Sequence, residues 1–63
     1  MFGIVLKDGS VRSAVAVVVD DDGLKYTDPD GRNVQLSLYA VDREKTRNLN
    51  RERNLSLWLP VVP

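Results

Sequence analysis

Neither cysteine nor histidine occurs in this 63-residue chain. The first absence excludes a disulfide framework and a thiolate metal site. The second removes the side chain that most often moves protons near neutral pH. Net charge is also missing, because nine basic residues balance nine acidic ones. That balance argues against a general binder of nucleic acids or membrane surfaces. No apolar run approaches the roughly 18–20 residues of a membrane span. The opening Met-Phe-Gly-Ile-Val-Leu has no basic start, long apolar stretch or cleavage site, so the chain reads as a soluble piece. Its length allows one domain that buries only about 60% of the surface of its unfolded form. Packing and strand pairing therefore have to hold it together.

What is present is alternation punctuated by glycine. Phe2 to Lys7 is a short apolar run ended by Asp8-Gly9, a dipeptide favoured in tight hairpins. From Ser10 to Asp20, Val11, Val15, Val17 and Val19 fall on one side of a period-two pattern, and Ala14, Ala16 and Val18 on the other. A strand apolar on both sides near its end is central, strongly bent, or both. Asp20-Asp21-Asp22-Gly23 and Asp28-Pro29-Asp30-Gly31 read as turns, with short alternating strands after each. At Asp42 the texture changes. Residues up to Asn54 are polar, free of glycine and proline, and follow an aspartate suited to an N-cap. Only Val41 and Leu49 offer apolar anchors, with the Lys45 stem between them. Leu55, Leu57 and Leu59 then resume alternation against Ser56 and Trp58, before Pro60 and Pro63 stop regular pairing. The pattern predicts strands at about 2–7, 10–19, 24–27, 33–38 and 55–59, and a helix at about 42–53. Closure of such strands into a five-stranded barrel would protect their edges.

The candidate chemistry is sparse. Asp20, Asp21, Asp22, Asp28 and Asp30 invite comparison with a calcium loop, but that loop needs ligands at alternate positions and a closing glutamate. Aspartates that bond their own backbone in two hairpin turns explain the pattern better. Ser10, Ser13, Ser37 and Ser56 have no histidine to activate them. No catalytic residue, cofactor or metal is assigned, and no enzyme is expected.

Charge separates along the chain. Residues 1–41 hold four basic and six acidic residues, a net of −2, and residues 42–63 hold five basic and three acidic, a net of +2. Arg43, Arg47 and Arg51 recur every four residues and so line one stripe of the expected helix. Such a stripe either grips phosphates or forms a solvated face with local pairs at the Glu44–Arg47 and Asn48–Glu52 spacings. Trp58, the sole tryptophan, either faces out near Tyr39 as a partner anchor or lies beneath the helix as a lid.

Lys7-Asp8-Gly9, the acidic turn before Gly23-Leu24, Tyr26, the Asp28-to-Gly31 turn and the Val34-Gln35-Leu36 strand together resemble the small bacterial envelope lipoproteins of the YgdI/YgdR-like type. Val41 to Arg53 is similar, more loosely, to C-terminal tails of bacterial envelope proteins. The resemblance implies an SH3-like or Sm-like five-stranded barrel and a place in the cell envelope or periplasm, and it names no site. The helix and the Leu-Trp-Leu ending depart from that pattern. The expected function is a non-enzymatic interaction or structural module. Its contact would come through an exposed strand edge or Trp58, with Tyr39, Arg43, Arg47 and Arg51 as candidate neighbours. The rival reading is an Sm-like RNA-binding module.

Overall fold

Aspartate at the first position of a tight turn can hold the following backbone in place, and two of the turns are built this way. Asp8 Oδ1 accepts from Ser10 N at 2.8 Å and from the Ser10 hydroxyl at 2.6 Å, closing the first hairpin. Asp28 Oδ1 accepts from Asp30 N and Arg32 N, both at 2.9 Å, and closes another. A computed structural model, which describes residues 1–21 and 23–57, shows what these turns connect. Five strands run β1 (Phe2–Val5), β2 (Val11–Ala14), β3 (Ala16–Asp20), β4 (Gly23–Thr27) and β5 (Asn33–Leu36). They are followed by a 3-10 turn at Leu38–Ala40 and the helix α1 (Arg43–Glu52).

The strands form two antiparallel sheets, β1–β2 and β3–β4–β5. Phe2 lies opposite Ala14, and Val5 opposite Val11. In the larger sheet Val17, Val19, Leu24, Tyr26, Val34 and Leu36 all pack on or belong to one apolar cluster with Ile4, Ala14 and Val41. Among the described residues no closed barrel is found.

Two expected elements are corrected. The single strand expected over 10–19 is two, interrupted at Val15. The reason is a change of phase: Ala14 points inward at an even position, whereas Val17 and Val19 are the half-buried residues of β3. One extra residue absorbs the shift, leaving Val11 and Val15 each 52% exposed. The strand expected over 55–59 is absent from its described part, since Leu55–Leu57 joins no sheet. Trp58 and Leu59 lie outside the described residues. The helix agrees with expectation, including its cap: Asp42 Oδ1 accepts from Lys45 N at 3.0 Å.

Gly23 shows why glycine opens β4. Its φ is +126°, and a Cβ there would lie 2.5 Å from the Leu36 carbonyl oxygen. Only a residue without a side chain lets β5 come this close.

Candidate interaction surface on helix α1

Helix α1 presents an inner and an outer face, and the inner one explains how the outer one is held. The largest fully buried side chains are Ile4, Leu24, Asn50 and Thr46, so half of them are polar. Both polar ones sit on α1 and address the edge of β1 that β2 leaves open. Asn50 Oδ1 accepts from Gly3 N at 2.8 Å, and Asn50 Nδ2 donates to Gly3 O at 2.9 Å and to Thr46 O at 2.7 Å. Thr46 Oγ1 accepts from Val5 N at 2.9 Å and donates to Val5 O at 3.2 Å. Preceding backbone continues the same edge: Asp42 N donates to Val5 O at 2.8 Å, and Lys7 N to Ala40 O at 3.0 Å.

The spacing makes this possible. Four helical residues rise about 6 Å, and two strand residues advance about 6.7 Å. Thr46 and Asn50 therefore meet Val5 and Gly3 as an adjacent strand would. No buried side-chain polar atom among the described residues lacks a partner. Gly3 favours the close approach, since a Cβ there would meet Leu49 Cδ2 at 2.5 Å and Arg53 Nη1 at 3.2 Å and the Leu49 side chain would have to shift.

With that face committed to β1, the residues one step further round the helix turn to solvent. Arg43, Arg47 and Arg51 are all exposed. The helix ends in a Schellman turn: Asn54 N donates to Arg51 O at 3.0 Å and Leu55 N to Asn50 O at 2.8 Å. Asn54 supplies the left-handed position with φ 59°. This turn brings the following segment beside the helix. Arg47, Arg51, Leu55, Ser56 and Leu57 line an open groove of about 420 Å³. Leu57 also packs against the apolar cluster, which anchors that wall.

The structure thus unites two of the expected arginines and separates other candidates from them. Arg43 lies on the same helix but not in the groove, and Tyr39, 61% exposed in the 3-10 turn, does not line it. Trp58 follows Leu57 in sequence and lies outside the described residues. Neither the Arg47 nor the Arg51 guanidinium has a hydrogen-bond or ion-pair partner among the described residues, which leaves both open to a ligand there. Ser56 is the one hydroxyl among the described residues of the lining. Its neighbours there cannot activate it, because an arginine stays protonated and makes no base. The arrangement suits binding.

No protein-family model, curated protein or solved structure matches the chain.

Elsewhere, the Asp8 carboxyl is held below its ordinary range, first by the Ser10 hydroxyl and then by the Ser10 backbone N–H. Its role is to close a turn. Asp20 approaches Lys25 at 3.5 Å across the β3–β4 hairpin. The sequence reading passed over Thr46 and Asn50. Their signal is positional: they share the helix stripe of Leu49, and each is followed directly by one of the arginines.

Proposed function

We propose that this domain is a non-enzymatic interaction module, an accessory piece of a bacterial envelope protein, whose contact face is the groove between α1 and Leu55–Leu57. The observation that carries the reading is that the guanidinium groups of Arg47 and Arg51, without partners among the described residues, share one groove of about 420 Å³ with an apolar wall. That size falls within the usual range for binding clefts, roughly 300–1,000 Å³. Trp58, next in sequence after this wall, supplies the aromatic anchor. Because α1 occupies the outer edge of β1, strand addition would use one of the other edge strands, β2, β3 or β5. No helix among the described residues is long and apolar enough to cross a membrane.

The SH3-like or Sm-like reading of the architecture draws support from a continuous path of pairing. It runs from the Leu6–Val41 bridge through β1 and β2, around Val15, whose N donates to Thr27 O at 2.8 Å, and on through β3, β4 and β5. The exposed stripe of Arg43, Arg47 and Arg51 favours a second reading, an Sm-like RNA-binding module. That reading predicts a ring-forming oligomer and affinity that falls steeply with salt.

Immobilised wild-type domain and its Trp58→Ala variant, each exposed to a bacterial envelope extract, test the proposal. Partners retained by wild type and lost by the variant are expected. Retention of every partner by Trp58→Ala sinks the reading. Salt-sensitive RNA capture by an oligomer would replace it with the alternative.

A further inference from the structure

We infer that the groove takes an extended peptide in which acidic and apolar residues alternate, Glu/Asp-x-Glu/Asp with apolar x, lying alongside α1. This rests on the groove being the contact face. Arg47 and Arg51 are one helical turn apart and project from the same wall. Their positions are separated by about 6 Å along the axis. In an extended chain, side chains on one side recur every two residues, about 6.7 Å. The two repeats match closely enough for consecutive same-side carboxylates to meet the two guanidinium groups. The protein already uses this match once: on the inner face, Thr46 and Asn50 address Val5 and Gly3, two residues apart in β1. Arg47 and Arg51 each follow one of those residues and so repeat their spacing on the open side.

The alternate side chains of such a peptide point away from the arginines and into the rest of the groove, whose lining includes Leu55 and Leu57. An apolar residue at those positions buries surface there. A plain polyanion would use only the arginine wall. This asymmetry favours a peptide over an RNA backbone, as does the acidic excess of residues 1–41 (four basic against six acidic), which repels a long anionic chain.

The test is fluorescence anisotropy on the full chain with a labelled peptide, Gly-Glu-Leu-Glu-Leu-Gly. Its phase-broken isomer, Gly-Glu-Leu-Leu-Glu-Gly, and a labelled RNA hexamer serve as comparisons. The alternating peptide should bind at least about fivefold tighter than the isomer. Arg47→Glu and Arg51→Glu should each weaken it about fivefold, the range set by exposed ion pairs. Both sites are exposed, so circular dichroism of the variants should match wild type. Arg43→Glu, on the same helix but outside the groove, should change affinity less than either. Equal binding of the two peptides, or tighter binding of RNA, overturns the inference. So does a self-associated species dispersed by the double arginine variant when no peptide binds. If the peptide fails while Trp58→Ala still loses its envelope partner, the peptide class falls and the contact face stands.

Discussion

Replacing Asn50 with alanine should be among the most damaging changes in the molecule, although it removes no apolar group. The amide is fully buried and alone serves both the N–H and the C=O of Gly3 among the described residues. Its loss orphans two backbone groups at a buried position. Each costs about 1–3 kcal/mol, so the change should destabilise the fold by about 2–6 kcal/mol. A domain of 63 residues has a total stability of roughly 3–9 kcal/mol at 0.05–0.15 kcal/mol per residue. The variant therefore loses a large part of its margin. Asn48→Ala is the internal control: the same residue type on the same helix, but exposed, and expected within about 0.5 kcal/mol of wild type. Urea unfolding followed by circular dichroism measures both. With a slope near 1 kcal/mol/M for a chain this small, Asn50→Ala should lower the midpoint by about 2 M or more, or leave no folded baseline. Equal midpoints for the two variants would refute the idea that α1 is held by its polar contacts to β1.

Thr46→Val keeps the shape but orphans Val5 N alone, since Val5 O retains Asp42 N; urea unfolding should show about 1–3 kcal/mol lost. Gly23→Ala meets a backbone oxygen that cannot give way, at positive φ, and should cost about 2 kcal/mol or more; a variant as heat-stable as wild type would contradict the packing of β4 on β5. Asp42→Ala removes the N-cap and should cost about 1 kcal/mol, read as helical signal lost on mild heating. Ser10→Ala should move the Asp8 titration up toward its ordinary value, followed by carboxyl NMR. The sign follows from a lowered folded-state pKa: Asp8 stabilises the fold above its unfolded pKa, and that contribution disappears as pH falls through the folded value. An unchanged Asp8 titration would exclude the Ser10 hydroxyl as the main cause.

Elements set by local chemistry were legible from the residues. Asp8-Gly9, Asp28 and Gly31 mark turns, because an aspartate carboxylate and a glycine act on their own neighbours. Asp42 starts the helix for the same reason. What the alternation hid was set at a distance. The valines on either side of Val15 belong to strands of opposite phase, and only pairing with β1 and β4 reveals where the phase changes. Leu55 and Leu57 alternate as a strand would, yet the left-handed Asn54 redirects them along α1. Arg43, Arg47 and Arg51 could be placed on one stripe from spacing alone. The groove could not, since its second wall depends on that turn. Thr46 and Asn50 read as solvated because polar residues usually are; their partners are backbone groups some forty positions away in sequence.

The glycine beneath Leu49 gives the helix a single seat. Sliding α1 by one turn along β1 would keep its periodic match, because every second strand residue offers the same pair of backbone groups. It would also carry Leu49 over Val5 or Met1, whose side chains begin where only Gly3 leaves space. The missing methyl group at Gly3 thus adds to the polar contacts that set the registry, which holds the helix arginines at one height above the sheet.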